Sequence, residues 1–338
     1  MRPTTKDLAK AAGVSLASVD RVLNDRGGVG KKTVAAVHEA IERIGFTRNV
    51  SAANLARGKT YEFRFLLPED GGEFVGKLYD RIDEASQMFE EEGIKVSTAA
   101  IPALDAHRTA AMLAEIGAKA DGIALMSPDS PQVRDAALRL QKDGKHILKL
   151  FSGKGVDEIA PVGIDNKAAG ATAAQILGRF TPSGPGEVLV FADTMSAQDS
   201  IERRLGFDAF LAERFPNLTA LPSLETYRQP ARAVTIASNA ARNHSNVVAA
   251  YVMSPEAAVT VNALKVAFDL NNLTVIAHER TDYTEAALRA GEIDALIAQN
   301  PGHVVRSAIR QMRARCENRG IVASQEAIRI EILLEANL

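Results

Sequence analysis

The sequence has few of the features that mark secreted, membrane-embedded or disulfide-stabilised proteins. Its 338 residues include one cysteine, Cys316, so no disulfide can form within the chain and a reducing compartment is expected. No apolar run approaches the length of a membrane span, and the first thirty residues are too polar for a secretory signal. The sequence therefore predicts a cytoplasmic protein with no membrane partner.

Signatures of catalysis and of metal binding are missing as well. The six histidines form no closely spaced ligand pair, and no G-x-S-x-G segment is present. Cys316 falls on a predicted Arg-rich helix without a neighbouring base in the sequence. We therefore predict that the chain is not an enzyme and that it carries no cofactor and no metal.

Charge is balanced overall but divided unevenly along the chain. An apolar share of 46% and a charged share of 24% are ordinary for a globular protein, and the length suits two or three domains. Residues 1–60 hold 11 Lys/Arg against 5 Asp/Glu, whereas residues 61–338 hold 29 against 37. A small basic head on a large acidic body predicts that the head meets a polyanion.

The segment "NDRGGVGKKTVAAV", residues 24–37, is similar to the phosphate-binding loop of an ATPase. Such a loop needs a Ser/Thr hydroxyl for magnesium after the glycine and lysine, and it follows a buried strand. Here Lys32 stands at the hydroxyl position, Asp25 stands where a glycine is expected, and the preceding residues have helical periodicity. An ATP-dependent enzyme is thus kept only as an alternative.

The first residues predict two short helices joined by a tight turn. In "TTKDLAKAAGVSLASVDRVLN", Thr4 or Thr5 can cap a first helix, with Asp7 completing a capping box. Gly13 suits the end of that helix, and Ser15 can cap a second helix. This arrangement is a helix-turn-helix.

The glycine-rich segment then becomes a loop and the start of a third helix, "KKTVAAVHEAIERIGF". Gly30 is predicted at its N-cap, and Val34, Val37, Ile41 and Ile44 are spaced to form its buried face.

Over about sixty residues this head resembles the lactose-repressor (LacI/GalR-type) family of bacterial regulators. The matching segments are "TTKDLAKAAGVSLASVDRVLN" and "GVGKKTVAAVHEAIERIGFTRNVSAANLARGKT". The resemblance implies that the second helix enters the major groove of double-stranded DNA, with base contacts from Leu16, Ala17 and Arg21. It also implies phosphate contacts from Thr5, Ser15 and Asn24.

Two further head positions follow from the same resemblance. Asp20 stands where the family usually has Ser, on the DNA-facing surface, where a carboxylate can accept from a cytosine amino group. The linker "NVSAANLARGKT" corresponds to the family's hinge helix, in which Leu55 would wedge between base pairs and Ala52 would face the partner subunit.

From residue 61 onward, short apolar runs alternate with helical patterns, which is typical of doubly wound parallel sheets. The runs are "FRFLL", "KVSTAAI", "GIALM", "HILKLF", "PVGID", "EVLVFA", "VVAAYVM", "LTVIAHE" and "DALIAQ". So many strands favour two lobes with a cleft between them. We therefore expect an N-terminal all-α helix-turn-helix head plus an α/β effector domain of two doubly wound parallel-sheet lobes.

We predict the following domain boundaries. They are 1–46 for the helix-turn-helix, 47–60 for the hinge, and 61–338 for the effector domain, with lobe 1 at about 61–161 and 292–320 and lobe 2 at about 162–291 and 321–338.

The body resembles, more weakly, type I periplasmic sugar-binding proteins, through "DGIALMSP", "VGIDNKAAGATAA", "RRLGF" and "AALRAGEIDALIAQNP". The resemblance implies a set of cleft residues that would bind a polar effector. They are Asp70, Phe74, Ser127, Asp129, Phe151, Ser152, Asp165, Arg203, Ser254, Glu279 and Gln299.

Arg203 is the strongest of these predictions, because "RRLGF" matches at fixed spacing; an ion pair with nearby acids is its structural alternative. Ser254-Pro255 replaces the usual Asn-Asp, Glu279 replaces Asp, Phe151-Ser152 replaces Asp-Arg, and Trp is absent. These departures argue against the commonest hexoses as the effector.

The sequence thus predicts a ligand-responsive transcriptional regulator, a repressor that binds a palindromic operator as a homodimer. Its predicted effector is a sugar, a polyol or a sugar acid. A cytoplasmic solute-binding protein with little DNA specificity is the second alternative.

Overall fold

The computed structural model describes residues 3–23, 27–46, 60–153 and 161–338. The chain divides into two compact units, Met1–Lys59 and Thr60–Leu338. The predicted DNA contact Asn24 and the predicted hinge residues Ala52 and Leu55 lie outside the described residues.

The head contains the three predicted helices, and their ends have the predicted caps. They are α1 (Thr5–Ala12), α2 (Leu16–Leu23) and α3 (Lys31–Ile44). The Thr4 side chain accepts from the Asp7 backbone N–H, while Asp7 accepts from the Thr4 N–H at 2.8 Å. Gly13 and Gly45 adopt the left-handed conformation at the ends of α1 and α3. These caps satisfy backbone groups that a short helix leaves open.

A small apolar core holds the three helices together. Its fully buried members come from one face of each helix, as the spacing predicted. They are Leu8, Val19, Val37 and Ala40, with Phe46 closing the core just after α3. Ile41 and Ile44 pack against this core while partly exposed.

The first lobe of the body is built on a four-stranded parallel sheet in the order β2-β1-β3-β4. Helices α4 and α12 cover one face of the sheet, and α5 and α6 cover the other. The elements are β1 (Tyr61–Pro68), α4 (Gly72–Glu90), β2 (Ile94–Ile101), α5 (Ala106–Ala118), β3 (Gly122–Leu125), α6 (Pro131–Lys142), β4 (His146–Lys149) and α12 (Pro301–Cys316).

The second lobe is built on a seven-stranded sheet with the main order β11-β10-β9-β8-β5-β6, and β7 also pairs with β5. Its helices are α7 (Asn166–Phe180), α8 (Gln198–Arg214), α9 (Pro230–Asn243), α10 (Ala257–Ala267) and α11 (Asp282–Arg289). Its strands are β5 (Gly186–Ala192), β6 (Leu218–Ala220), β7 (Leu224–Glu225), β8 (Val247–Val252), β9 (Thr274–His278), β10 (Ala295–Ala298) and β11 (Glu331–Leu333). The short helix α13 (Ala323–Glu326) packs against α12 of the first lobe.

Three details of this body differ from the prediction. The run "PVGID" forms no strand. Within it, Val162 makes one isolated bridge with Leu150. Strand β10 pairs with β9 in the second sheet, so residues 295–298 lie in the second lobe and not in the first. Strand β11 is antiparallel to β10, so the second sheet is not wholly parallel. No helix within the described ranges is long and apolar enough to span a bilayer.

Helices α7 and α8 cross with their backbones in direct contact. A Cβ on Gly170 would lie 1.9 Å from the Arg203 carbonyl oxygen, and one on Gly206 would lie 1.9 Å from the Lys167 carbonyl oxygen. No side chain fits at either distance, so the two glycines permit this crossing. The crossing sets the position of Arg203 on α8.

We expect Gly206→Ala to lower the free energy of unfolding by about 1–3 kcal/mol, because a methyl group there forces the two helices apart. Urea denaturation monitored by circular dichroism measures this change. The matched control is Gly76→Ala on α4, where the added methyl group meets no atom within 4 Å. The control should stabilise by about 0.5–1 kcal/mol, and equal effects of the two substitutions would contradict the close-crossing argument.

Candidate functional site

The exposed face of α2 presents the predicted DNA-contacting side chains together. Leu16, Ala17, Asp20 and Arg21 are all exposed, whereas Val19 on the opposite face is fully buried. Leu16 is 47% exposed, so its side chain is accessible to a partner. This face is one helical stripe of apolar and charged groups, the kind that the major groove accepts.

Ser15 and Thr5 lie at the starts of helices, where backbone N–H groups are available. The Ser15 hydroxyl accepts from the Ser18 N–H at 3.1 Å and so caps α2. Thr5 is the exposed first residue of α1. Helix starts of this kind favour phosphate oxygens.

The elements around the glycine-rich segment are not those of a nucleotide-binding loop. Gly30 caps α3 without a side-chain bond, and Lys31 and Lys32 are the first two residues of that helix. The segment follows helix α2 and not a buried strand. The ATPase alternative therefore lacks the strand–loop–helix unit that it requires.

In the body, Arg203 is the centre of a buried polar network in the second lobe. Its Nε donates to the Asn166 Oδ1 at 3.0 Å, and one terminal nitrogen donates to the Met253 carbonyl at 2.7 Å. The other terminal nitrogen lies 3.3 Å from the Glu279 Oε1, and both side chains are almost fully buried. The structure thus shows the predicted alternative, an ion pair with a nearby acid, while effector binding by Arg203 stays a prediction.

Glu279 is held in an unusual position. Its φ of 63° lies in the left-handed region, which disfavours residues with a side chain. Burial raises the pKa of its carboxyl, while Arg203 and the amide of Gln299 oppose that effect. Gln299 donates to Oε1 at 2.9 Å, but Oε2 has no hydrogen-bond partner among the residues described. A buried carboxylate oxygen without a partner in the protein is available to accept a hydrogen bond from water or from a ligand.

A second buried pair, missed in the sequence, lies beneath this network. The Tyr251 hydroxyl and the His278 Nε2 are 2.7 Å apart, and the Tyr251 ring stacks on Phe207 at 4.5 Å. Burial lowers the pKa of His278 well below its usual value, and nearby Arg203 lowers it further. His278 is therefore neutral and adds no charge beside Arg203.

Ser254 does not stand alone but binds a carboxylate. Its hydroxyl donates to the Asp193 Oδ1 at 2.5 Å, and Arg228 donates to the Asp193 Oδ2 at 2.8 Å. Arg228 also donates to the backbone carbonyl of Asp70 in the first lobe at 2.8 Å. The Asp70 backbone carbonyl thus belongs to this cluster of hydrogen bonds. So do Asp193 and Arg228, which the sequence analysis did not single out.

The first lobe contributes an aromatic pair and a buried lysine. Phe74 and Phe151 meet edge to face at 5.3 Å, and Phe151 has a φ of 64°. Lys149, at the end of β4, donates to the Ser127 carbonyl at 2.5 Å and lies 3.3 Å from Asp129. Burial lowers the pKa of Lys149, and Asp129 opposes this effect. Phe74 thus packs against Phe151, and Lys149 links Ser127 to Asp129.

Asp165 and Ser152 lie at the edge of these clusters. The Asp165 side chain accepts from the Ala168 N–H at 3.0 Å and is exposed, so it caps α7. Ser152 is half-buried, and its N–H donates to the Leu150 carbonyl at 2.8 Å. In the described part of the chain, no group of His, Cys, Asp and Glu side chains is arranged to hold a metal ion.

Two family models match the chain in separate segments. Residues 63–320 match the model described as periplasmic binding protein domain. Residues 4–49 match the model described as bacterial regulatory proteins, lacI family.

Curated relatives are regulators. Catabolite control protein A of Priestia megaterium is 29% identical over 177 residues, which cover 52% of this chain and 52% of that protein. The HTH-type transcriptional regulator RegA of Clostridium saccharobutylicum is 30% identical over 168 residues, 49% of this chain and 48% of the relative. The matches thus span about half the length of these relatives.

Solved structures share the fold of the body at low sequence identity. GanP, a glucose-galactose binding protein from Geobacillus stearothermophilus, superimposes with a TM-score of 0.71 and 17% identity, covering 82% of this chain and 99% of that one. A LacI-type regulator structure from Bacteroides fragilis gives 0.68 and 19%, with 82% and 98% covered. The lacI-family model thus matches the head, and the periplasmic-binding-protein model matches the body. The chain therefore belongs to the LacI family of helix-turn-helix transcriptional regulators that carry a periplasmic-binding-protein-like effector domain.

Proposed function

We propose that this chain is a ligand-responsive repressor that binds a palindromic DNA operator as a homodimer. The observation that carries the proposal is the exposed face of α2, where Leu16, Ala17, Asp20 and Arg21 point away from the head core together. Arg pairs bidentately with guanine, and small apolar groups contact the thymine methyl. A symmetric dimer places two such helices on two half-sites of one operator.

The hinge belongs to the same proposal. Residues 47–60 would form a helix on DNA, with Leu55 inserted between base pairs and Ala52 facing the partner. Insertion of an apolar side chain kinks the duplex and lets it contact more protein surface.

The effector is proposed to be a sugar, a polyol or a sugar acid bound between the two lobes of the body. The support is the open oxygen of Glu279, buried beside Arg203 and Gln299, together with the Phe74–Phe151 pair in the other lobe. Hydroxyl groups match such acceptors, and a ring face matches the aromatic pair. A ligand that bridges the lobes changes their relative position and hence the equilibrium between DNA-bound and free states.

The alternative is a cytoplasmic solute-binding protein with little DNA specificity. Titration of a duplex library separates the two proposals, because the repressor should retain one palindromic sequence at raised salt and the alternative should retain none.

We expect Arg21→Ala to cost about 1–3 kcal/mol of operator affinity and to abolish the preference for one base pair in each half-site. Competition binding with all single-base variants of a selected operator measures both effects. The control is Lys31→Ala, which should weaken all sequences alike and reduce the salt dependence if Lys31 contacts phosphate. An unchanged base preference in Arg21→Ala would refute the proposed orientation of α2.

We expect Arg203→Ala to lower the free energy of unfolding by about 3–5 kcal/mol, because Glu279 stays buried without its cation. The same variant should lose its response to the effector found by a thermal-shift screen of sugars, polyols and sugar acids.

The double variant Arg203→Met with Glu279→Leu removes both charges and should recover most of the stability. It should still fail to release operator when the effector is added. A double variant that responds at the wild-type effector concentration would leave the Arg203–Glu279 pair with a structural role alone.

A further inference from the structure

Glu256 lies where the two lobes of the body touch. It follows β8 and is the N-cap residue of α10 in the second lobe. Its carboxylate rests against Gly72, the first residue of α4 in the first lobe, so that a Cβ on Gly72 would lie 2.1 Å from the Glu256 Oε1. Gly72 also has a φ of 71°. The positive φ favours glycine at this position, and the absence of a Cβ lets the Glu256 carboxylate approach the backbone.

The carboxylate of Glu256 faces the start of a long helix. It lies beside the backbone N–H groups of Glu73 and Phe74, and the positive charge of Arg228 favours its charged form. The exposed N–H groups at the start of a helix attract anions. Burial nevertheless raises the pKa of Glu256, and within the described residues its Oε1 makes no hydrogen bond. The carboxylate thus fills this position without satisfying all of its hydrogen-bonding capacity.

A reciprocal contact lies one helix away. Glu73 in the first lobe accepts from the backbone N–H groups of Asp282 at 2.6 Å and Tyr283 at 3.3 Å, at the start of α11 in the second lobe. Lys77 adds an ion pair with Asp282 at 2.8 Å. Two helix starts that could attract an anionic ligand, one in each lobe, are therefore occupied by carboxylates of the opposite lobe.

The cations near the clusters described above are also engaged. Arg203 pairs with Glu279, Lys149 with Asp129, and Arg228 with Asp193. Among the described residues, two carboxylate acceptors at these clusters are left without a hydrogen-bond partner, the Glu279 Oε2 and the Glu256 Oε1. A ligand that fits these groups brings hydrogen-bond donors and no negative charge, since a buried carboxylate repels an anion.

We propose that the carboxylate of Glu256 determines which ligands the cleft accepts. It occupies the start of α4 when the lobes close, so that an anionic ligand cannot bind there. The cleft therefore accepts uncharged, hydroxyl-rich ligands and excludes anionic ones. This inference rests on the proposed effector site and narrows its ligand class, because it removes sugar acids and sugar phosphates.

The test compares ligands that differ in charge but share a carbon skeleton. Full-length protein is titrated with glucitol and gluconate, with xylitol and xylonate, and with sodium sulfate, at constant ionic strength. Melting temperature is the readout, because a ligand of the folded state raises it. The wild type should respond to uncharged compounds only. Glu256→Ala should gain saturable binding of sulfate or of a sugar acid, tighter than the wild type by at least about tenfold, or 1.4 kcal/mol.

Hydrogen exchange locates the new anion site. In Glu256→Ala, peptides that span residues 72–76 should exchange faster than in the wild type and should regain protection when sulfate is added. The matched control is Glu213→Ala, which removes an exposed carboxylate from the end of α8 and should gain nothing. If Glu256→Ala does not fold, Glu256→Ser decides, because it removes the charge and its short side chain leaves the start of α4 open.

Saturable binding of sulfate or a sugar acid by the wild type would overturn the inference and leave the proposed effector site standing. Absence of any gain in both Glu256 variants would overturn it equally. A wild type that responds to none of the uncharged compounds, while Glu256→Ala gains sulfate, would instead support the role of Glu256 and count against a sugar-like effector.

Discussion

The close crossing of α7 and α8 is the constraint on which the candidate site depends. Gly170 and Gly206 let the two backbones touch, and this contact brings Asn166 at the start of α7 next to Arg203 on α8. Asn166 in turn donates to the Phe151 carbonyl at 3.0 Å, which links the second lobe to the segment that follows β4. The position of the guanidinium is therefore set by backbone contact, and not by side-chain packing that a substitution could readily adjust.

Arg203 and Glu279 form a buried ion pair at the centre of the candidate site. Two buried charges are costly to remove from water, and their mutual attraction offsets this only when further hydrogen bonds satisfy them. Asn166, Gln299 and the Met253 carbonyl supply those bonds. One carboxylate oxygen is still left over in an otherwise satisfied network. A water molecule or the proposed ligand can complete the missing bond.

Local sequence signals predicted the head almost completely. Caps such as Thr4 with Asp7, and the left-handed Gly13, act over three or four residues and are visible in the sequence. The alternation of strands and helices likewise predicted two lobes. Strands β6, β7 and β11 are two or three residues long, too short for any periodic pattern to indicate them.

Contacts between residues that lie far apart in the sequence could not be predicted from local signals. Arg203 and Glu279 are separated by 76 positions, and the Arg228 contact with Asp70 spans 158. Asp193, Arg228 and Glu256 carry no distinctive local motif, and only the packing of two lobes shows what they face. The lobe assignment of β10 was wrong for a related reason, since its apolar run is compatible with either sheet and pairing with β9 decides between them.

Helix α12 is made after nearly all of the second lobe, although it packs in the core of the first. Val304, Val305, Ile309 and Met312 lie in the same apolar cluster as Phe63 and Leu78. While the ribosome is still producing β5 to β10, one face of the first sheet therefore lacks its second covering helix. Because chains fold from the N-terminus as they emerge, the first lobe must wait with apolar surface uncovered until residues 301–316 arrive. The first lobe can thus complete its core only after most of the second lobe has been synthesised, so the folding of the two lobes is linked in time.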